Sequence, residues 1–308
     1  MATGSTRQPG RAAEGSGSAT SGCASDAQLL ERFIDQREDV AFEELVRRHG
    51  AMVMAVCRRV LGNAHDADDA FQATFFVLAR KAQSVSPREQ VGNFLYGVAY
   101  RCSLETRTAI ARRRAKEGQA VTPARQADDN VSNPELLALL DREINRLPEK
   151  YRLPVVLCEL GGKTRREAAE QLGWPEGTVA GRLARARTLL ARRMSREGAA
   201  VSSVALGSLL AMELAKSALP AANVAAALKA AAVATGQVAA VGAVSAKVVA
   251  MAESVLKSLL LAKLKVVTAI VLAVGVIGGG AGVVVYRQHV AAPAANPGDK
   301  GNEHSTVN

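Results

Sequence analysis

The chain has 308 residues, with 39 Lys and Arg against 29 Asp and Glu and a net charge of +10. This length suits two small domains with appendages, and the basic excess favours a nucleic-acid partner. No CxxC pair and no histidine at metal-ligand spacing accompanies the four cysteines, so the sequence predicts no metal site and no other cofactor. Buried, reduced thiols in a cytosolic folded part are the better interpretation of Cys23, Cys57, Cys102 and Cys158.

The N-terminal third predicts a disordered start followed by a helical domain. Residues 1–25 are rich in Gly, Ser, Ala and Thr and lack the apolar run of a signal peptide. An all-helical domain is expected over 26–115, with Asp26 as the N-cap of its first helix. Gly62-Asn63 ends a long second helix, and Asp66 or Asp68 begins a third, DADDAFQATFFVLARKA.

The last helix of this domain, VGNFLYGVAYRCSLETRTAIARRR, follows a loop that contains Pro87. Its apolar face predicts a core contact and leaves Tyr96, Tyr100, Arg101 and Arg107 for another surface. Aromatic rings interleaved with basic groups can stack on unpaired bases while guanidinium groups follow the backbone. Core filling is the alternative for the two tyrosines, which are four residues apart.

Residues 116–133 are polar, contain Pro123 and predict an extended linker. A second helical domain over 134–197 contains TRREAAEQLGWPEGTVAGRLARARTLLARR, which is typical of a helix-turn-helix. Thr164 and Glu167 form a capping box, and Gly173 ends the first helix. The second helix has one apolar face beside Arg182, Arg185 and Arg187, which suits the major groove. A helical hairpin with a solvated basic face is the alternative.

Two separate stretches are strongly basic. Six basic residues and one acid lie between Arg101 and Lys116, and nine basic residues and three acids lie between Lys163 and Arg196. Such runs are often solvated helix faces, but here both lie on predicted helices with apolar opposite sides. They therefore predict two contacts with a phosphate backbone.

Three of these motifs together resemble the extracytoplasmic-function (ECF) sigma factors. DADDAFQATFFVLARKA is similar to the region 2.2 helix, and VGNFLYGVAYRCSLETRTAIARRR is similar to region 2.4. INRLPEKYRLPVVLCELGGKTRREAAEQLGWPEGTVAGRLARARTLLARRM is similar to region 4. The resemblance covers about residues 26–196, with departures at Phe94, at Tyr100-Arg101-Cys102, at Glu105 and at Gly181.

The resemblance implies two partners, core RNA polymerase and promoter DNA. On polymerase, the β′ clamp helices would bind region 2 and the β flap would complete the interface, and linker 116–133 would thread toward the active centre and the RNA-exit path. The implied polymerase-binding residues are Asp66, Asp69, Gln72 and Phe75. Capping of the helix by Asp66 or Asp68 is one alternative, and a metal-binding acidic cluster is another.

For promoter DNA, the resemblance assigns the loop Ser84–Asn93 and the following helix to unstacked bases of the −10 element. The helix-turn-helix would read the −35 element, where arginine can pair with two acceptors on guanine. The implied DNA-binding residues are Asn93, Tyr96, Tyr100, Arg101, Arg107, Arg165, Thr178, Arg182, Arg185 and Arg187. An anti-sigma factor is a further expected class of partner.

The C-terminal third is unusual for this family. Residues 198–265 predict an alanine-rich spacer followed by an interfacial helix, whose apolar residues include Val248, Val255 and Leu256. The 21 residues 266–286 carry no charge and, as a helix, span about 30 Å, enough to cross a bilayer. Lysines lie just before this stretch, which predicts a single pass with the N-terminus in the cytoplasm. A buried or surface-lying apolar helix is the alternative, and residues 287–308 predict a disordered tail.

The sequence therefore predicts a membrane-tethered, all-α sigma factor of ECF type at the cytoplasmic face of the cell membrane. Its tail would act as a built-in regulator, either by sequestering the domains or by passing a signal. A membrane-bound helix-turn-helix regulator that binds duplex DNA without polymerase is the alternative, and DADDAFQATFF argues against it. The absence of clustered nucleophile, base or metal-ligand residues argues against an enzyme acting on nucleic acid.

Overall fold

The computed structural model describes residues 24–117, 134–199, 201–216, 219–237 and 244–261, together with Leu264 and Thr268. These ranges contain helices and no strand, which confirms the predicted all-α class. The chain divides into two compact units, Met1–Val255 and Leu256–Asn308. Most of the predicted disordered ends, linker 116–133 and apolar stretch 266–286 lie outside the described residues.

Within the described residues, no single helix is both long enough and apolar enough to cross a membrane. One pair of helices, Ser203–Lys216 and Ala221–Ala234, passes on length and composition together but is bent by 87°.

The first four helices form the predicted N-terminal domain. They are α1 (Asp26–Gln36), α2 (Asp39–Leu61), α3 (Ala64–Lys81) and α4 (Val91–Lys116), with two short 3₁₀ turns between α3 and α4. Aromatic rings join α1, α2 and α3, because the ring centres of Phe33 and Phe42 lie 4.6 Å apart and those of Phe42 and Phe75 lie 6.2 Å apart. Fully buried aliphatic side chains from α2, α3 and α4 complete this core.

Local capping chemistry sets the helix boundaries of this domain. Gly62 ends α2 with a φ of 66°, as predicted. The predicted start of α3 at Asp66 or Asp68 was wrong, because α3 begins at Ala64 and the Asn63 side chain caps it by accepting from the amide of His65. The prediction for Asp26 was wrong. Ser25 caps α1, and its side chain forms a capping box with Gln28.

Asp26 instead lies buried beside His49, with 3.0 Å between Asp26 Oδ2 and His49 Nε2. Burial alone would raise the pKa of the Asp26 carboxyl, but its hydrogen bond to His49 and nearby positive charges lower it well below the ordinary value. A residue that the sequence assigned to a helix end therefore anchors α1 to α2.

The second group of helices contains α5 (Pro134–Asn145), α6 (Glu149–Pro154), α7 (Arg165–Leu172) and α8 (Glu176–Arg196). Pro154 has no amide hydrogen to donate, and the backbone after it widens into a π-helical turn, Val155–Leu160. The predicted capping box is confirmed, since the Glu167 amide lies 3.2 Å from Thr164 Oγ1 and the Thr164 amide lies 2.8 Å from Glu167 Oε2. Gly173 ends α7 with a φ of 65°, also as predicted.

The C-terminal extension comprises residues 198–255, and its described residues fold back on the rest of their unit as helices. They are α9 (Ser203–Lys216), α10 (Ala221–Ala234) and α11, which covers 246–261 and belongs to the first unit through Val255. Helix α9 packs against α8 and the π-helical turn, whereas α10 packs against α3 and α2. The prediction of an interfacial helix was wrong for Val248 and Val255, because both are buried within the protein.

Candidate nucleic-acid and partner interfaces

Helix α8 presents the basic surface that the sequence predicted for duplex DNA. Val179, Leu183, Ala186 and Leu190 are buried along one side, as their spacing predicted. Arg185 is exposed on α8, and Arg165 is exposed at the start of α7. Thr178 is half-buried near the N-terminus of α8. This end of α8 is the part of a recognition helix that reaches base edges.

Arg182 is oriented by an aromatic neighbour that the sequence analysis did not select. Its guanidinium carbon lies 4.0 Å from the centre of the Trp174 ring, a cation–π distance. Trp174 follows the α7 C-cap and packs against the small core formed by α7, α8 and Leu157. The turn of the helix-turn-helix therefore holds an arginine of the second helix in place.

Arg187 does not belong to this surface. Its guanidinium pairs with Glu159 of the π-helical turn, with 3.0 Å between Arg187 Nε and Glu159 Oε1. Two residues of α-helix correspond to a rotation of about 200°, so Arg187 points away from Arg185. The prediction that Arg187 contacts DNA is corrected on this ground.

The acidic end of α3, comprising Asp66, Asp68 and Asp69, is in contact with the C-terminal extension. Lys247 Nζ lies 2.7 Å from Asp66 Oδ1 and 2.7 Å from Asp69 Oδ2. Burial alone would lower the pKa of Lys247, but its hydrogen bonds to the two carboxylates raise it above the ordinary lysine value. Gln72, one turn further along α3, is half-buried.

The prediction that Phe75 of α3 binds polymerase is wrong. Phe75 is fully buried, with its ring edge-on to Phe42 at 6.2 Å and tilted against Phe71 at 5.0 Å. Helix α3 is covered on every side from Ala73 to Ala79, by the N-terminal domain and by α10. Phe75 therefore stabilises the domain and has no surface to offer a partner.

Three predicted DNA-binding residues of region 2 lie beneath the second group of helices. Tyr96 is fully buried, and its hydroxyl donates to Asp141 of α5, 3.1 Å from the carbonyl oxygen. Burial and the Asp141 charge raise the pKa of this hydroxyl well above its ordinary value. Asn93 accepts a hydrogen bond from Arg152 Nε at 2.9 Å, and Tyr100 is buried.

In this arrangement, the core-filling alternative for Tyr96 and Tyr100 is the one observed. Arg101 and Arg107 remain exposed on the same helix. Of the residues predicted to bind the separated DNA strand, Arg101 and Arg107 are thus accessible, whereas Asn93, Tyr96 and Tyr100 are covered.

Asp141 and Arg59 hold the two groups of helices together, and the sequence analysis missed both. Arg59 Nε and Nη2 lie 2.7 and 2.9 Å from the two Asp141 carboxylate oxygens, and both side chains are buried. A signal for this pair was available. Asp141 lies among Leu137, Leu140 and Ile144 on an apolar helix face, where a charge requires a partner.

The cysteines of the described residues support the predicted thiols. Cys57, Cys102 and Cys158 are free, and the first two are buried. Burial raises the pKa of Cys57 to about 12, so its thiol stays protonated and unreactive at neutral pH. The described residues contain no group of three or more His, Cys, Asp or Glu arranged to hold a metal ion.

Comparisons with known proteins agree with this division into two helical regions. Residues 45–117 match the family Sigma-70 region 2, and residues 137–190 match Sigma-70, region 4. The chain is 30% identical over 168 residues to the ECF RNA polymerase sigma factor SigM of Mycobacterium tuberculosis, covering 54% of this chain and 84% of SigM. It is 32% identical over 167 residues to SigE of Mycolicibacterium smegmatis, covering 51% of this chain and 62% of SigE. SigW of Bacillus subtilis is 26% identical over 166 residues, 50% of this chain and 89% of SigW.

Two consecutive sigma-70 regions, matched within α2–α4 and α5–α8, define a bacterial transcription initiation factor. The chain belongs to the ECF family of RNA polymerase sigma factors. It is a non-enzymatic protein that directs promoter recognition and transcription initiation, with core RNA polymerase and promoter DNA as its partners.

Proposed function

We propose that this sigma factor binds core polymerase through the acidic end of α3 and duplex promoter DNA through α8. Two neighbouring arginines of α8 carry the proposal. Arg185 is exposed, and the guanidinium of Arg182, three residues earlier, is stacked on Trp174. A guanidinium that is already ordered loses less conformational entropy when it pairs with a base edge. Thr178 and Arg165 add backbone and base contacts at the same end of the helix-turn-helix.

The region 2 surface would serve the second DNA contact once α5 moves away from it. Arg101 and Arg107 provide charge for the phosphate backbone of the separated strand. Asn93, Tyr96 and Tyr100 become available for unstacked bases only when the contacts with Arg152 and Asp141 open. Permanganate footprinting of promoter complexes tests this role, because Arg101→Ala should reduce strand opening while leaving duplex binding by α8 intact.

The proposal includes a membrane tether at residues 266–286. Its support is the sequence, which places 21 uncharged residues after Lys257, Lys263 and Lys265. The factor would then lie at the cytoplasmic face of the cell membrane, where polymerase and the chromosome are accessible. An anti-sigma partner remains a prediction.

Fractionation of the full-length chain tests the tether. The protein should remain in the membrane pellet after washes with high salt and carbonate. Leu272→Arg together with Val276→Arg should release it, because each charge at mid-span costs roughly 2.5–3.5 kcal/mol on insertion. Gln288→Glu is the matched control, since it adds a charge outside the span and should leave the protein in the pellet. Full-length protein in the soluble fraction would refute the tether.

A further inference from the structure

Two helices of the C-terminal extension lie on the face of α3 that carries the proposed polymerase-binding carboxylates. Lys247 of α11 bridges Asp66 and Asp69, and Asn223 of α10 donates to Asp68 Oδ1 at 2.8 Å. Asp69 is consequently 7% exposed. A macromolecular partner cannot reach this carboxylate while the extension is in place.

The contact runs along the whole of α3. Asn223 lies at the start of α10 and meets the start of α3, whereas Arg80 at the end of α3 reaches the carbonyl of Ala234 at the end of α10. The two helices therefore run side by side in the same direction. Ala227, Ala230, Ala231 and Ala234 are buried at helical spacing, and their small side chains allow α10 to approach its neighbour closely.

Helix α11 fixes the extension to α4 as well. Val248, Met251, Ala252 and Val255 repeat the same helical spacing and are buried. Thr106 Oγ1 lies 3.3 Å from Met251 Sδ, and Ser254 Oγ lies 3.0 Å from Glu105 Oε1. Matched apolar faces and specific polar pairs on two helices indicate a built interface.

We propose that residues 221–255 are an intramolecular inhibitor that competes with core polymerase for the acidic end of α3. Lys247 takes the place of the basic groups that polymerase brings to this surface, because one pair of carboxylates cannot pair with both at once. This inference rests on the proposed role of Asp66 and Asp69 in polymerase binding. It assigns a partner-exclusion function to the segment that the sequence analysis described as a spacer.

The ionic part of the contact is weak. The Lys247 side chain is 47% exposed, and half-exposed ion pairs are screened by solvent and salt. An inhibited protein binds its partner with an affinity reduced by the fraction of molecules that are open, so a chain that is open for about a tenth of the time binds about ten-fold more weakly. Variants that loosen the extension should therefore bind polymerase more tightly.

The test measures the affinity of the full-length chain, in detergent micelles, for core polymerase. Lys247→Glu should tighten binding about three- to ten-fold, because it replaces two attractions with two repulsions. Lys229→Glu, at an exposed position of α10, is the matched control and should leave the affinity unchanged. Ala227→Arg should also tighten binding by forcing a long side chain into a buried position, whereas Ala225→Arg at an exposed position should not.

A zero-length carbodiimide cross-link provides a second readout without substitution. The reagent activates an Asp carboxylate, Lys247 Nζ attacks it, and an amide forms as the reagent leaves as its urea with the carboxylate oxygen. Cross-links from Lys247 to Asp66 or Asp69 should form in the free chain and disappear with saturating core polymerase. A cross-link that persists in the polymerase complex would overturn the proposal.

The same variants distinguish a wrong docking surface from a wrong inhibitor. If Asp69→Arg abolishes polymerase binding while Lys247→Glu leaves the affinity unchanged, the docking surface stands and the inhibitor is refuted. If Ala227→Arg with Asp69→Arg binds at least as tightly as Ala227→Arg alone, the docking surface itself is wrong, and the inhibitor falls with it. Tighter binding by Lys247→Glu together with loss of binding by Asp69→Arg supports both.

Discussion

The acidic end of α3 and the basic face of α8 are the two proposed binding surfaces, and they differ in accessibility. Asp69 is almost fully covered and paired with Lys247, whereas Arg185 on α8 is exposed. The surface for duplex DNA is thus open in the same chain whose polymerase surface is occupied. The two contacts of one sigma factor would then be controlled separately, by covering one surface and leaving the other free.

Region 2 carries a second covered surface, which strengthens the contrast with α8. Tyr96 and Asn93 are held by Asp141 and Arg152 of the second group of helices. Under the proposed function, promoter melting uses these groups and duplex recognition does not. In this arrangement, the groups for duplex binding on α8 are accessible, and the region 2 groups for strand opening are covered.

The largest expected effect comes from breaking the buried pair that keeps region 2 covered. Asp141→Ala leaves the buried Arg59 guanidinium without a partner and should destabilise the protein by about 3–5 kcal/mol. Urea unfolding measures this change. Arg59→Met with Asp141→Val is the control and should be nearly neutral, because it removes both charges and puts apolar side chains of similar total volume in their place. An equal loss in the double variant would mean that packing, and not charge pairing, holds the regions together.

A smaller effect separates the open arginine of α8 from the paired one. Arg185→Ala should weaken binding to upstream duplex promoter DNA by about 1–3 kcal/mol, the range for a base contact. Fluorescence anisotropy with a labelled duplex measures this change. Arg187→Ala should leave the DNA affinity nearly unchanged and lower thermal stability, because it strands Glu159. Equal losses of DNA affinity would place both arginines in the groove and refute the correction made for Arg187.

The smallest expected effect concerns the helix that supports α8. Thr164→Ala removes a side-chain cap from α7 and should cost about 1 kcal/mol of stability. Thermal unfolding measures the loss. Thr188→Ala is the matched control, since its hydroxyl bonds to a carbonyl of its own helix and is exposed. If both substitutions cost the same, the capping box contributes nothing specific to the helix-turn-helix.

Local chemistry made much of the fold predictable. The capping box at Thr164, the stop at Gly173 and the apolar face of α8 each depend on residues within one or two turns, and all three are confirmed. The family resemblance misplaced Phe75, because a position in a motif does not show which sides of α3 the rest of the chain covers. Helical spacing defines a face, but the neighbours of that face are set by the rest of the chain.

The contacts missing from the sequence analysis join residues that are far apart in the chain. Arg59 and Asp141 are 82 positions apart, and Lys247 and Asp66 are 181 positions apart. No periodicity within a window of one helix identifies such pairs. The sequence around Lys247 predicts only a solvated charge in an alanine-rich segment. Its role depends on carboxylates that folding brings close to it.

Covalent attachment of the extension has a quantitative consequence. A segment joined to its own target meets it at an effective concentration on the order of millimolar, whatever the number of copies in the cell. Dilution or changes in expression therefore leave the occupancy of α3 unchanged, unlike the occupancy by a separate inhibitor protein. Under the proposed inhibition, the fraction of open molecules would depend on the amino-acid sequence of the extension, and substitutions around Lys247 would change the concentration at which polymerase is captured.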